Sequence, residues 1–272
     1  QSGAVAAAIT ATTGRAVELV AIETTGDLRL DVPLHVIGGQ GVFVKEVQHA
    51  VLDGRADLAV HSAKDLPSAP ADGLAIVAFC ERRDPRDALV GADLDSLAHG
   101  STVATGSVRR RAQLRRVRPD LQFAELRGNI DRRLTKIPDD GAIVIAVAAL
   151  DILGLTDRIA EILEVDEFVP AVGQGCVAVE CRADDQSTLE VLAGIDHAPT
   201  RHDVEVERAF LAELGSGCSL PVGAHVRNGI LWTFLADLDT GISVSDEIEL
   251  LGGHADVEIA QAAARAAREA LQ

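Results

Sequence analysis

The chain has 272 residues, which is enough for two or three domains that each bury a core of their own. Its formal net charge of −17 argues against a nucleic acid or an anionic membrane as a partner of the surface as a whole. No apolar run approaches the roughly 18 residues of a membrane-spanning helix. The four cysteines fit neither a disulfide framework nor a zinc site, so we expect a cytoplasmic protein without a metal.

The first part of the chain has the pattern of an α/β domain. Residues 17–23 (VELVAIE) predict an extended run. Residues 42–53 predict a helix capped by Gly54, because the valines of this segment share one face. Residues 57–61 (DLAVH) predict a short buried strand, and Pro67 prevents the turn that follows from continuing the sheet.

The middle of the chain, about 84–170, predicts a second α/β block. A strand at 102–105 leads into a helix near 107–117, and 121–126 predicts a further strand. The continuous apolar run at 142–150 (AIVIAVAAL) is typical of a strand that is covered on both faces.

The remaining segments predict a central strand and a last α/β block. Residues 176–181 (CVAVEC) predict the central strand, and a helix is expected near 185–194. The last block, about 198–272, contains in order a helix at 203–214, a Gly-rich loop at 215–223, strands, and an Ala-rich helix from about 256.

A basic cluster inside this acidic chain is the most informative local feature. Residues 105–118 (TGSVRRRAQLRRVR) carry six arginines. Ser107 is a plausible N-cap, which places Arg109 and Arg110 in the first helical turn, where each charge opposes the helix dipole by roughly 0.3–1 kcal/mol. An anionic ligand would resolve this conflict, because helix starts and arginine forks both bind carboxylates and phosphates. The alternative is a solvated basic face paired with nearby acids, which we expect for Arg115, Arg116 and Arg118.

Two further positions carry candidate chemistry. Asp65, beside Lys64 at the carboxyl end of the predicted strand, lies where open α/β sheets place ligands, although an Asp before Leu-Pro is also a common turn former. Cys218 lies among glycines, which let the backbone bring its thiol close to a ligand. It is the best nucleophile candidate of the four cysteines, but no histidine stands close in sequence to activate it.

Taken together and in order, seven segments resemble the porphobilinogen deaminase (hydroxymethylbilane synthase) family. The resemblance spans nearly the whole chain and is loosest beyond about residue 225. The matching segments are 38–46 (GGQGVFVKE), 55–67 (RADLAVHSAKDLP), 81–89 (ERRDPRDAL), 105–118, 125–134 (ELRGNIDRRL), 170–182 (PAVGQGCVAVECR) and 205–223 (EVERAFLAELGSGCSLPVG).

The resemblance implies a transferase that deaminates porphobilinogen, joins four molecules head-to-tail and releases hydroxymethylbilane by hydrolysis. It implies a dipyrromethane cofactor, the primer of the reaction, bound to Cys218 through a thioether. Asp65 would be the catalytic residue, since a fixed carboxylate stabilises positive charge on pyrrole nitrogens and can help to move protons. The other cofactor-binding residues implied are Lys64, Thr105, Ser107, Arg109, Arg110, Arg127 and Arg133. The implied substrate-binding residues are Ser2, Gln174, Arg127 and Arg133, whereas Arg132 lies off the matched pattern.

The family's fold is α/β with three domains. Two lobes resemble those of periplasmic binding proteins and surround a cleft, and a smaller C-terminal α/β domain carries the cofactor cysteine. On this chain the domains would be 1–80 plus 176–194, then 84–170, then 198–272. The resemblance also suggests a monomer.

Three positions depart from the family pattern. Gln40 stands where many members have lysine, Gly106 where serine is common, and Ile152 in a segment that usually includes a basic, substrate-binding residue. We therefore expect weaker substrate binding than in a typical member. The main alternative function is a two-lobed, non-enzymatic binding protein for an anionic metabolite, which would need the arginines but neither Asp65 nor Cys218.

Overall fold

The structure is a computed structural model, and it describes residues 1–22, 44–215 and 220–271. Within these ranges the chain forms three β-sheets with helices packed against them. The helices are α1 (Ser2–Thr13), α2 (Lys45–Leu52), α3 (Val108–Val117), α4 (Ile130–Leu134), α5 (Val147–Ile152), α6 (Gln186–Ala193), α7 (Ala198–Leu214) and α8 (Ala255–Ala270). The strands are β1 (Leu58–Ser62), β2 (Leu74–Phe79), β3 (Asp87–Val90), β4 (Thr102–Ala104), β5 (Gln122–Ala124), β6 (Ala142–Ala146), β7 (Glu161–Leu163), β8 (Val177–Arg182), β9 (Val222–Arg227), β10 (Ile230–Ala236) and β11 (Ser243–Glu249). Short 3₁₀ turns lie at Ala63–Asp65 and Thr156–Arg158.

The first sheet joins segments that lie far apart in the chain. Its order is β1-β8-β2 and both pairs are antiparallel, so the strand that the sequence predicts as central does lie in the middle. Val179 of β8 pairs with Val60 on one side and with Ala78 on the other. Val5 and Ile9 of α1 pack into the core of this sheet. The chain therefore leaves this sheet after β2 and returns to it with β8.

The second sheet is mixed and has the order β5-β4-β6-β3-β7. Strand β4 is parallel to β5 and β6, whereas β3 is antiparallel to β6 and β7. Ala142 and Val144 of β6 pack into one core, and Ile143 and Ile145 pack into another on the opposite face. This confirms that 142–146 is a strand covered on both faces.

The second half of that apolar run was predicted wrongly. From Val147 the chain forms helix α5 instead of continuing the strand, and the amide of Val147 donates to the carbonyl of Arg86 at 2.9 Å. Periodicity cannot separate a buried strand from a buried helix, and the Ala-Ala-Leu sequence favours a helix once the chain has turned.

The third sheet is antiparallel, in the order β11-β10-β9. Helices α7 and α8 cover one face, and Phe210, Leu231 and Ala264 meet in the core between them. None of the helices in the described ranges is long and apolar enough to span a membrane.

The other predicted elements are present with shifted ends. Helix α2 is followed by Gly54 at φ +72°, as expected for its cap. The strand predicted at 121–126 is limited to Gln122–Ala124, and α7 begins at Ala198, five residues before the predicted start. Residues 17–22 belong to no helix or strand, so an extended run there does not join a sheet.

A buried carboxylate on α7 binds the segment after β2, the segment before β8 and strand β9. Glu207 accepts hydrogen bonds from both terminal nitrogens of Arg82, from the amides of Gly173 and Val226, and it contacts the ring of His225. Burial opposes its ionisation, but the charges of Arg82 and His225 lower the pKa of Glu207 to about 2. This ion pair fixes the segment that precedes β8.

Candidate active site

The carboxyl end of β1 carries Lys64 and Asp65 on a single 3₁₀ turn. The amide of Ala63 donates to the carbonyl of Cys176 at 3.0 Å, which attaches the turn to the start of β8. Burial raises the pKa of Asp65 above its ordinary 3.8, while the charges of Lys64, Arg133 and His61 oppose this rise. Burial also lowers the pKa of Lys64. A carboxylate and an ammonium group are thus held next to each other on one half-buried turn.

The beginning of α1 lies at the same end of β1. The side-chain amide of Gln1 exchanges two hydrogen bonds with the hydroxyl of Ser62, at 2.9 and 3.1 Å. Ser2, the first residue of α1, is exposed beside this contact. The structure therefore brings a residue predicted from the resemblance close to the turn of Asp65.

Ser107 is the N-cap of helix α3, as predicted. The hydroxyl of Ser107 accepts a hydrogen bond from the amide of Arg110 at 3.4 Å. The hydroxyl of Thr105 accepts from the amide of Ser107 at 3.2 Å, and the carbonyl of Thr105 accepts from the Nε of Arg111 at 2.9 Å. These bonds show that Thr105 and Ser107 shape the helix start.

Asp87, at the start of β3, binds both arginines of the first helical turn. Its Oδ2 accepts from the Nη2 of Arg109 at 2.7 Å, and its Oδ1 accepts from the Nη2 of Arg110 at 2.6 Å. Asp87 is 1% exposed. Burial opposes its ionisation, but the charges of the two arginines and their hydrogen bonds hold the pKa of Asp87 well below its usual range. This carboxylate of the protein therefore supplies a counter-charge to both arginines, for which an anionic ligand was one predicted source.

Gln174 is the third group on Asp87. Its Nε2 donates to Oδ1 of Asp87 at 2.8 Å and to the carbonyl of Pro85 at 2.7 Å. Gly173, at φ +69°, allows this loop to approach the turn of Asp65, since a Cβ there would lie 2.9 Å from the Cβ of Ala63. The amide nitrogen of Gln174 therefore donates within the protein, and its contact with substrate stays a prediction.

A cavity of about 300 Å³ opens beside these groups. Three cations, Lys64, Arg110 and Arg133, line it, and no carboxylate is among its lining residues in the described part of the chain. Ala149 of α5 and Asn129, the N-cap of α4, also line the cavity. Such a volume and such a set of donors suit a small ligand with several carboxylates.

The arginine side chains differ in how much of their donor capacity the protein uses. Within the described residues, Arg110 uses three of its five N–H groups, on Asp87 and the carbonyl of Val144, and its side chain also lines the cavity. Arg133 donates from Nε to the carbonyl of Gly128 at 2.8 Å. Arg127 is buried, and its carbonyl accepts from the Nζ of Lys136 at 3.1 Å.

Arg115, Arg116 and Arg118, in the second half of α3 and just after it, were predicted to form a basic face paired with nearby acids, and the structure supports this for Arg118. It forms an ion pair with Asp120 at 2.8 Å. Arg115 lies over the ring of Phe123, and Arg116 donates to the hydroxyl of Ser245. All three therefore have partners within the protein.

The structure brings some of the predicted site residues together, and it shows further buried polar residues near them that the sequence pattern did not predict. Lys64, Arg110 and Arg133 meet at the cavity, whereas Arg109 is directed to Asp87. Cys218 and Gln40 lie outside the described residues. The sequence analysis did not predict the buried charged groups Asp87, Glu207, His61 and Glu180. All four lie in segments that resemble the family, but only their contacts in the folded protein distinguish them from other polar residues there.

Comparisons with known proteins identify the family of this chain. Residues 1–190 match the family model described as "Porphobilinogen deaminase, dipyromethane cofactor binding domain", and residues 202–270 match "Porphobilinogen deaminase, C-terminal domain". The porphobilinogen deaminase of Geobacter metallireducens is 43% identical over 243 residues, covering 86% of this chain and 76% of that protein. The porphobilinogen deaminase of Trichlorobacter lovleyi is 44% identical over 243 residues, covering 86% and 78%.

Solved structures give weaker similarities. The periplasmic VFT2 domain of BvgS from Bordetella pertussis is 16% identical with a TM-score of 0.37, covering 71% of this chain and 75% of that one. The family models place the cofactor-binding part before a separate C-terminal domain, and the three sheets follow the same order, so the α/β fold class expected from the sequence is confirmed. Both the extent of the match and the identity of these relatives show that the chain belongs to the porphobilinogen deaminase family.

Proposed function

We propose that this chain is a hydroxymethylbilane synthase whose catalytic residue is Asp65 and whose dipyrromethane primer is bound through a thioether to Cys218. Its reaction is the family's: deamination of porphobilinogen, head-to-tail joining of four molecules, and hydrolytic release of hydroxymethylbilane. The observation that carries the assignment of residues is the cavity lined by Lys64, Arg110 and Arg133 beside the turn of Asp65.

The residues around the cavity fit the primer by their chemistry. Each pyrrole unit carries an acetate and a propionate, and the cavity wall offers three cations and no carboxylate among the described lining residues. Lys64, Arg110 and Arg133 would hold these carboxylates, with Arg127 behind them. When bound, dipyrromethane supplies the nucleophilic pyrrole carbon to which the first substrate is joined.

Asp65 would act on the positive charge that develops on the pyrrole nitrogen of the substrate as ammonia leaves. A carboxylate fixed in a poorly solvated place stabilises such a charge strongly, because it needs no reorganisation when the charge appears. The same carboxylate oxygens can take up the proton that the new bond releases. The position beside Lys64 suits this role, since the positive charge of the ammonium group favours the ionised carboxylate.

Asp87 and Gln174 would act through the arginines. Three hydrogen bonds from Arg109 and Arg110 to Asp87 fix the start of α3, and Gln174 fixes the carboxylate in turn. Arg110 therefore reaches the cavity in a set orientation, which is the requirement for binding a carboxylate with two parallel bonds. In this proposal Thr105 and Ser107 support the same helix start and contact cofactor only through their remaining groups.

We propose domain bounds and an assembly from the same features. The sheet of β1, β8 and β2 supports a first domain of 1–80 plus 176–194, the five-stranded sheet supports a second of 84–170, and the last sheet supports a third of 198–272.

A cytoplasmic location agrees with the free thiols of Cys80, Cys176 and Cys181. A monomer without a nucleic-acid partner is expected, which light scattering and an oligonucleotide binding assay would check.

The test of the function is the intact mass of the purified protein, with Cys218→Ser and Cys80→Ser as paired variants. The wild type and Cys80→Ser should carry a mass excess equal to two linked pyrrole units, and Cys218→Ser should lack it. If the wild type is unmodified, it is incubated with porphobilinogen and measured again. A protein that gains no mass then, and that keeps any anion binding in the Cys218→Ser variant, would be a binding protein and would contradict the proposal.

A further inference from the structure

Helix α7 packs directly against the turn that carries Asp65. Val204 of this helix is buried in one core cluster with Ala63 and Leu66. These two residues flank Lys64 and Asp65 in the chain, and the amide of Leu66 donates to the carbonyl of Ala63 at 3.3 Å. The apolar ends of the turn therefore rest on α7, although α7 lies more than 130 positions later in the sequence.

The loop that follows Asp65 is bound by a second side chain of the same helix. The Nη2 of Arg208 donates to the carbonyls of Pro67 and Ser68, at 2.7 and 3.1 Å. Residues 66–73 belong to no helix or strand, so these carbonyls need donors other than a neighbouring strand. Arg208 follows Val204 by four residues, which places both on one face of α7. It fixes the chain two residues beyond the carboxylate.

Glu207, the neighbour of Arg208, acts on the other side of the turn. Its Oε2 accepts a hydrogen bond from the amide of Gly173 at 2.8 Å. Gly173 lies against Ala63, since a Cβ at this glycine would lie 2.9 Å from the Cβ of Ala63. Two adjacent residues of α7 thus hold the chain segments on both sides of the turn of Asp65.

The partners of Arg208 are backbone carbonyls rather than carboxylates. Its Nη1 is buried and has no hydrogen-bond partner among the described residues, and it forms no ion pair with a described carboxylate. Burying a guanidinium charge without a carboxylate adds little stability, because desolvation offsets the attraction. The contact therefore fixes the loop more than it stabilises the fold, and an apolar side chain of similar length should be tolerated there.

The same helix leads to the cysteine that the sequence analysis singled out. The C-cap of α7 is Gly215, at φ +77°, and Cys218 follows three positions later in the sequence. Arg208 precedes Gly215 by seven residues, which is about 10 Å along the helix axis. One helix therefore connects the turn of Asp65 with the segment that carries Cys218.

We propose that Arg208 is a positioning residue that holds the turn of Asp65 on α7 and thereby fixes the carboxylate relative to the primer attached beyond the end of this helix. The inference rests on the proposed roles of Asp65 and Cys218. Arg208 is not among the described residues that line the cavity, so we expect an effect on bond formation and not on substrate binding. Small displacements suffice, because a misplacement of about 1 Å can lower a rate about 100-fold.

The test is kcat per primer-loaded molecule for Arg208→Met and Arg208→Lys, with the loaded fraction counted by intact mass. Methionine keeps an unbranched apolar side chain and removes the donors. At saturating porphobilinogen, kcat of Arg208→Met should fall at least about tenfold, whereas the Michaelis constant should stay within about twofold of the wild type. Arg208→Lys keeps a charged donor on a long stem and should recover kcat to within about threefold of the wild type.

The matched control is Arg201→Met. Arg201 precedes Arg208 by seven residues, on the same side of α7, and it also donates to a backbone carbonyl, that of Val77. The substitution removes an ion pair with Asp196, at 2.7 Å, but no contact with the turn of Asp65. Arg201→Met should lower the midpoint of urea unfolding and leave kcat per loaded molecule unchanged.

Three results would overturn the proposal. They are a kcat per loaded molecule within about twofold of the wild type in Arg208→Met, equal losses in Arg201→Met and Arg208→Met, and a kcat of Arg208→Lys as low as that of Arg208→Met. If Arg208→Met does not fold, Arg208→Gln takes its place with the same outcomes. Failure of the proposed function is recognised separately, because the wild type then loads no primer, or Asp65→Asn keeps its turnover.

Discussion

Asp87 binds Arg110 through two hydrogen bonds to one oxygen, from Nη2 at 2.6 Å and from Nε at 3.1 Å. The two residues lie 23 positions apart and on different elements. Arg110 was predicted to bind an anionic ligand. In the structure it lines the cavity and also binds a buried carboxylate of the protein.

Replacing Asp87 with Asn should destabilise the protein strongly. The substitution leaves Arg109 and Arg110 buried without their counter-charge, and breaking a buried pair costs about 3–5 kcal/mol. The midpoint of urea unfolding measures the effect. Asp53→Asn is the control, because its ion pair with Arg55 is exposed and should contribute within about 0.5 kcal/mol. Equal midpoints for the two variants would show that Asp87 is not required for the fold.

Replacing Asp65 with Asn should abolish turnover and stabilise the fold at neutral pH. The pKa of Asp65 is raised in the folded protein, so the folded state binds the proton more tightly than the unfolded state. Ionisation therefore reduces stability at any pH above both values, and this cost vanishes below the unfolded value of about 3.9. Unfolding midpoints at pH 7 and pH 3.5 should show the gain at the higher pH only. A midpoint lowered at pH 7 would contradict this prediction.

Glu207 should make stability depend on pH in the acid range. Its folded pKa is lowered to about 2 from an ordinary 4.5, so its contribution is complete above about 4.5 and is lost as the pH falls through 2. The variant Glu207→Gln should be less stable than the wild type at pH 6, and the difference should shrink between pH 4.5 and 2. Unfolding midpoints across this range measure it. A difference that does not change with pH would indicate that the charge of Glu207 contributes nothing.

Adding a cation at position 152 should strengthen substrate binding. Ile152 follows Ala149 of the cavity wall by three residues on α5, so both lie on one side of that helix. Ile152→Arg should lower the Michaelis constant about two- to fivefold, the value of a partly exposed ion pair. The control is Leu251→Arg, at an exposed apolar position in the C-terminal part of the chain that does not line the cavity. An unchanged Michaelis constant in Ile152→Arg would count against the expected weak binding.

The sequence by itself determined much about this protein. Ser107 is a local signal for a helix start and the structure confirms it, because an N-cap depends on the hydroxyl of one residue and an amide three positions later. The buried strand at 142–146 and the turn of Asp65 were also predictable from short-range pattern. The ordered segments that resemble the family gave the fold class and the function. The role of Cys218 stays a prediction, since it lies outside the described residues.

Only the tertiary structure decided the partners of the buried charges. Arg109 and Gln174 meet at Asp87 although they lie 22 and 87 positions from it, and His61 meets Glu180 across two strands. A single sequence marks these residues as polar but does not say which of them are buried. Burial is what makes a counter-charge obligatory, and the available counter-charge depends on strand register and on the return of β8 between β1 and β2. Those long-range contacts, not the local pattern, determined which charges remain for the ligand.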